Sequence, residues 1–255
     1  MRIEARAVSV KRGGVRVLDG VDLVVEPGQL VGLVGPNGAG KTTLIRALAG
    51  LFRPEAGETL YDGRPPARVP AAERARRVAY LAQSASAEWP LNVEAIVALG
   101  RLPHRRAFAG PSAADRDAIA RAMREAEIEP LAARSFGALS GGERARVLLA
   151  RALATEAEML LADEPVASLD PRHQLRTLEL LHGIAARGVG VVVVLHDLSL
   201  ATRFCDRVLL LDQGRLTLDG PPAALTEAVI ALAFGVTILE GEREGRRWVL
   251  PWAAL

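Results

Sequence analysis

Apolar and polar residues alternate over residues 3–10 and again over 15–25, with Gly13-Gly14 between the two runs. Alternation with a period of two, broken by a glycine turn, predicts two antiparallel strands that each bury one face. Leu30 to Val34 is a compact apolar run and predicts a strand. It leads into a glycine-rich loop and then a helix over Lys41 to Ala49. Gly57 to Tyr61 predicts another short strand, closed by a turn at Asp62-Gly63.

The texture changes between about Asn92 and Ala154, where helical spacing replaces strand signal. Asn92 caps a predicted helix over Val93 to Leu99. Ser112, with Asp115 three residues on, heads a second helix over 112–127, and Ser140 heads a third from Gly141 to Ala154. Together they read as an inserted helical subdomain, from about residue 88 to 156. Beyond it, Met159 to Leu161 predicts a strand, 172–186 a helix, 189–195 a strongly β-branched strand and 208–212 another strand. Alternating strands and helices predict an α/β fold with a mostly parallel sheet covered on both faces, preceded by an N-terminal antiparallel β subdomain. The C-terminal extension, from about 222 to 255, contains a predicted hairpin over Thr237 to Leu250 that turns at Glu244-Gly245.

Composition narrows the function classes. The chain has 255 residues, 50% of them hydrophobic, and a net charge of +2, which excludes general disorder. The strongest apolar run, Val189 to Leu195, is far short of the roughly 20 residues of a membrane span. The N-terminus carries no apolar signal segment and Cys205 has no partner for an internal disulfide, so the cytosol is expected. All but two of the 32 basic residues are arginines, the exceptions being Lys11 and Lys41. The 30 acidic residues balance them and no long single-sign block occurs, which argues against a nucleic-acid partner.

In this setting Lys41 stands out. Gly35-Pro36-Asn37-Gly38-Ala39-Gly40-Lys41-Thr42 matches G-x-x-x-x-G-K-[ST] in full, between an apolar strand and a helix. The glycines let several backbone N–H groups face one anion, and the helix N-terminus adds its positive end. Lys41 supplies a charge for the β- and γ-phosphates, and the Thr42 hydroxyl a ligand for Mg²⁺. Thr43 completes the first helical residues beside them. Asp163-Glu164 ends a predicted strand, where open α/β sheets hold their ligands. Asp163 would hold Mg²⁺ directly or through water, and Glu164 would polarise the attacking water. Leu139-Ser140-Gly141-Gly142-Glu143 forms a capped helix start. His196 ends the 189–195 strand within expected reach of a γ-phosphate, and Gln83, after the apolar stretch Val78 to Leu81, can orient catalytic water or a metal ligand.

Taken in order, these segments resemble the ATP-binding subunit of an ABC transporter over about residues 3 to 221. The correspondence is Walker A at 35–42, the Q-loop glutamine at Gln83 and the signature at 139–143. Walker B lies at Leu160 to Asp163 with Glu164 as the catalytic glutamate, the D-loop at Ser168-Leu169-Asp170 and the switch histidine at His196. The resemblance implies a P-loop ATPase core that binds ATP and Mg²⁺, with Gln83 sharing the metal with Thr42 and Asp163. It implies a homodimer in which Ser140, Gly141 and Gly142 act in trans on the partner's ATP. It further implies a peripheral subunit on the cytoplasmic face of the cell membrane, docked through the groove near Gln83 onto a permease dimer.

A narrower likeness lies in Val97-Ala98-Leu99-Gly100-Arg101-Leu102-Pro103-His104, in Asp170-Pro171-Arg172-His173-Gln174 and in Leu195-His196-Asp197-Leu198-Ser199-Leu200. These runs are similar to importers of iron–siderophore, haem and vitamin B12, which add a periplasmic or surface binding protein. Arg101, Arg105 and Arg106 read either as permease contacts or as a solvated helix end. Many relatives carry an adenine-stacking aromatic near position 12; here Arg12 offers a guanidinium plane instead. Val166 and Arg144 also depart from the usual residues. The competing class is a soluble ABC-type ATPase of DNA repair or translation. The first is disfavoured by the absence of a sustained heptad pattern between Thr42 and Leu139, the second by the single P-loop.

Overall fold

The structure, a computed structural model, describes residues 1–83, 90–105 and 110–255. Strands β1 (Ile3–Arg12) and β2 (Val15–Val25) pair antiparallel around Gly13-Gly14. β3 (Leu30–Val34) leads through the glycine loop into α1 (Lys41–Leu48), followed by β4 (Ala56–Tyr61), α2 (Ala71–Arg77) and β5 (Val78–Leu81). Then come α3 (Val93–Ala98), α4 (Ala113–Glu125) and α5 (Gly141–Leu153). The chain continues through β6 (Met159–Ala162), α6 (Pro171–Ala186), β7 (Gly190–Val194), α7 (Leu198–Phe204), β8 (Arg207–Asp212) and β9 (Arg215–Gly220). It ends in α8 (Glu227–Phe234), β10 (Val236–Arg243) and β11 (Arg246–Ala254).

Among the described residues the strands form three sheets. β2-β1-β4 is antiparallel, β10-β11 is a two-stranded hairpin, and the main sheet has the order β5-β6-β7-β3-β8-β9. The main sheet is parallel except for β9, which turns back against the edge strand β8. Strand periodicity explains its two faces. Val31, Leu33, Leu161, Val192, Val194, Leu209 and Leu211 point toward the antiparallel sheet and α1, and all are buried. Leu30, Val34, Leu160, Ala162, Val191, Val193 and Leu210 point the other way, into the core shared with the helical segments.

The caps read from the sequence are present. Asn92 accepts from the Ala95 N–H at 2.8 Å, and Ser112 with Asp115 forms a reciprocal capping box. α3 ends one residue earlier than expected and passes into a 3₁₀ turn over Leu99–His104, where Pro103 has no N–H to continue an α-helix. Several elements among the described residues were not foreseen: β5 was read only as an apolar stretch, and four others went unmarked. α2 has no buried residue and hence no apolar stripe; α7 is too short for periodicity to register; β9 and α8 sit in a stretch that the repeat of strand and helix does not reach.

One expectation is corrected. Arg101 is neither a permease contact nor a solvated end: it is 5% exposed. Its guanidinium donates to Asp115 Oδ1 at 2.9 Å, to the Ala154 carbonyl at 2.8 Å and to Glu156 Oε2 at 2.7 Å, tying α4 to the end of α5. Arg105 is half-buried, and Arg106 lies outside the described residues. Arg101 holds the Asp115 carboxyl well below the usual carboxylate range. A depressed acid stabilises the fold above its unfolded pKa of about 3.9, and that contribution is lost as pH falls toward the folded value. Arg101→Ala leaves the Asp115 carboxylate with only its Ser112 partners, and should destabilise the chain in urea unfolding by more than a surface substitution does. A change below about 0.5 kcal/mol would mean the pair is solvated.

Candidate active site

The site lies at the carboxyl ends of β3, β6 and β7, neighbours in the main sheet. β3 delivers the loop Gly35 to Gly40. Gly35 has φ +149° and Gly40 φ +105°, and a Cβ on either would collide with backbone, at 2.0 Å from the Leu211 carbonyl oxygen and 2.7 Å from that of Val17. Gly40 precedes α1 without any side-chain cap, which leaves the first N–H groups of the helix for an anion. Pro36, Asn37, Gly38 and Ala39 complete the turn, closed by Ala39 N–H on the Pro36 carbonyl at 3.2 Å.

Lys41 is 6% exposed and folds back on the loop. Its Nζ donates to the carbonyls of Gly35 at 2.6 Å and Pro36 at 2.9 Å. Burial pushes its pKa down, against the pull of Glu164 and Asp163. Thr42 Oγ1 donates to Asp163 Oδ1 at 3.2 Å, and Thr43, largely buried, lines the same cavity as Thr42. Asp163 is fully buried, and burial pushes its pKa up while the Thr42 hydrogen bond lowers it. Among the described residues no lysine or arginine forms an ion pair with Asp163. A buried carboxylate beside a hydroxyl, without its own counter-charge, is the oxygen donor set that suits a hard divalent cation completed by substrate phosphates.

Glu164 follows in the left-handed region at φ +54°, a conformation rare outside glycine and concentrated at functional positions. Its Oε1 lies 2.6 Å from His196 Nε2, two residues past β7. Both line a depression of about 240 Å³ together with Asn37, Gly38, Lys41 and Thr42. Residues 120 to 160 positions apart in sequence thus surround one cavity, an anion cradle on one side and a carboxylate–imidazole pair on the other.

Not every residue singled out in the sequence joins them. Ser140 caps α5, accepting from Glu143 N–H at 3.3 Å, while Glu143 accepts from Ser140 N–H at 2.8 Å. Ser140 and Gly142 line a second depression of about 280 Å³ with Ser168, Leu169 and Asp170, and it shares no lining residue with the first. Gly141 stands beside them with open space at its Cα. Gln83 is exposed in a bend two residues past β5, which pairs with β6, and it does not line the cradle. Arg12 is exposed and holds its guanidinium 5.8 Å from the Phe52 ring centre, away from the cradle. Val17 occupies the cradle wall instead. Sequence reasoning also missed Tyr80 and Arg46. Tyr80 Oη donates to Asp163 Oδ2 at 3.4 Å and accepts from Arg46 Nε at 3.2 Å. The only local signal for Tyr80 was a phenol inside an otherwise apolar run.

A glycine loop of the G-x-x-x-x-G-K-T pattern at a strand-to-helix turn, with paired acids at the end of β6, the next strand but one, defines a P-loop nucleoside-triphosphate hydrolase. Within that class, residues 18–167 match the family model described as ABC transporter. The hemin import ATP-binding protein HmuV of Pseudomonas entomophila (strain L48) is 45% identical over 243 residues, 93% of this chain and 94% of that one. An inward-facing metal-chelate type ABC transporter superposes with a TM-score of 0.84 at 25% identity, over 98% of this chain and 97% of the other. A dimeric bacterial ABC transporter cassette superposes at 0.77 with 28% identity, over 86% and 98%. The chain belongs to the ABC transporter family and is an ABC-type ATPase that binds ATP.

Proposed function

We propose that this chain is the ATP-hydrolysing subunit of a haem importer, working through a separate permease. The observation that carries hydrolysis is the Glu164–His196 pair facing Lys41 and Thr42 across one cavity. The loop amides and Lys41 bind the β- and γ-phosphates. Glu164 accepts a proton from the attacking water, and His196 holds Glu164 in place and reaches the γ-phosphate. Thr42 and Asp163 would hold Mg²⁺, with Gln83 as a further ligand, and the bound ion would supply positive charge to the phosphate oxygens.

The signature residues act from a second copy. Ser140, Gly141 and Gly142 head a helix whose surface depression is separate from the cradle of their own chain. A second copy turned head to tail would bring that helix end to the γ-phosphate, so that ATP holds two positive helix ends together and hydrolysis releases them. The dimeric cassette that superposes on this chain supports the arrangement. No helix among the described residues is long and apolar enough to cross a membrane. In this proposal a permease dimer provides the path, the ATPase subunits sit at the cytoplasmic membrane face, and a binding protein delivers the cargo. The helices between Val93 and Leu153 and the neighbourhood of Gln83 receive the permease, within a single ATPase domain that carries the C-terminal hairpin from about 222 onward.

Haem is chosen over siderophore or cobalamin on the likeness to the hemin import protein. The test is deletion of the gene in its native host. Growth on haem as the sole iron source and uptake of iron-labelled haem should be lost, while growth on ferric salts persists. A deletion strain that takes up haem at the parental rate would sink the cargo assignment, and loss of siderophore or cobalamin uptake instead would redirect it.

A further inference from the structure

We propose that Tyr80, held by Arg46, is a positioning residue for the Asp163 carboxylate and sets the metal affinity of the site. The inference rests on Asp163 being a metal ligand, as proposed above.

Helix α1 addresses both oxygens of Asp163. Thr42 reaches Oδ1 directly, and Arg46, one turn further along the same helix face, reaches Oδ2 only through the phenol of Tyr80. The phenol accepts from the guanidinium and donates to the carboxylate, so its hydroxyl is fully used in the relay. The carboxylate is thereby fixed at two points in a buried place where its orientation decides how it presents to a cation.

The spacing of the charges matters as much as the orientation. A direct Arg46–Asp163 ion pair would neutralise the carboxylate and compete with a divalent ion for it. With Tyr80 between them, Arg46 orients Asp163 without occupying it. Asp163 is fully buried and makes no direct ion pair among the described residues, so one side of the carboxylate stays available to a divalent cation. Tyr80 also ties the carboxylate to β5, the edge strand that carries Gln83 past its end. Tyr80 faces the α1 side of that strand and is half-buried, while Ala79 and Leu81 turn to the opposite core.

Tyr80→Phe in the full chain removes the hydroxyl and keeps the ring. Mn²⁺, followed by electron paramagnetic resonance, replaces Mg²⁺ as the probe, titrated into the complex with ATP. ATP binding without metal is measured separately with a fluorescent analogue. Tyr80→Phe should weaken Mn²⁺ binding about three- to tenfold, as befits one lost hydrogen bond, with metal-free nucleotide affinity unchanged. Arg46→Gln should weaken Mn²⁺ in the same direction, and the double variant should be no weaker than Tyr80→Phe alone. Asp163→Asn serves as the reference and should lose far more Mn²⁺ affinity. If Asp163→Asn loses Mn²⁺ and Tyr80→Phe binds it like the parent, the positioning role is overturned. It is also overturned if Tyr80→Phe weakens metal-free ATP binding by the same factor, because the ring would then act through the cradle. If Asp163→Asn itself keeps Mn²⁺, the metal-site reading falls and takes the Tyr80 role with it.

Discussion

Glu164→Gln is expected to cut ATP turnover by about 10²- to 10⁴-fold, the range of a lost general base. Glutamine keeps the size of the side chain and an oxygen for the contact with His196, 2.6 Å away in the parent. It cannot take a proton. The backbone at φ +54° places no greater strain on glutamine than on glutamate, so folding should be unaffected. The cradle of Gly35 to Thr42 is untouched, and ATP affinity should stay within about twofold of the parent because uniform binding is retained. With binding intact and hydrolysis stopped, ATP should hold two copies together. Size-exclusion chromatography with Mg²⁺ and ATP should then show a dimer that the parent forms only briefly. Parental turnover in this variant would remove Glu164 from the role of base.

The largest expected effect on stability comes from Gly35→Ala. The added Cβ would sit 2.0 Å from the Leu211 carbonyl oxygen and 3.1 Å from its carbon. Both atoms are backbone of β8, the immediate neighbour of β3 in the main sheet, so no side chain can swing aside. The φ of +149° adds strain for any residue with a Cβ. Relief requires β3 and β8 to part or the loop to refold. A cost of about 3 kcal/mol or more is expected, a large share of a total stability of about 5–15 kcal/mol. The thermal midpoint should fall by about 6–12 °C, and ATP binding should be lost with the loop geometry. Gly38→Ala makes the informative comparison: Gly38 has φ +80° but nothing within 4 Å of a new Cβ, so it bears strain without collision. A Gly35→Ala midpoint no lower than that of Gly38→Ala would show that the close approach to Leu211 is unimportant.

The elements of the site were legible where local chemistry writes them. Glycine spacing and the rare Lys41 identified the cradle, the caps at Asn92, Ser112 and Ser140 fell where short polar side chains precede helices, and the pair Asp163-Glu164 marked a strand end. Arg101 was misread for an equally physical reason. It lies in a run of polar and basic residues that looks like an exposed terminus, and only Asp115, Glu156 and the Ala154 carbonyl, 14 to 55 positions away, make its burial favourable. Tyr80 went unnoticed because an aromatic residue in an apolar strand is ordinary core, and its polar partners are Arg46 and Asp163, 34 and 83 positions distant.

What the sequence by itself determined is therefore local: which segments turn, cap and alternate, and that one loop can cradle an anion, because φ preferences and hydrogen bonds within a few residues are set by neighbours along the chain. Tertiary structure alone decided that Thr42 meets Asp163 across 121 positions and that Glu164 meets His196 over the same cavity. It also decided that the signature helix opens on a different surface from the cradle of its own chain. Those outcomes follow from the strand order β5-β6-β7-β3-β8-β9. That order is selected by how two buried sheet faces pack against α1 and the helical segments, and no short stretch of sequence contains it.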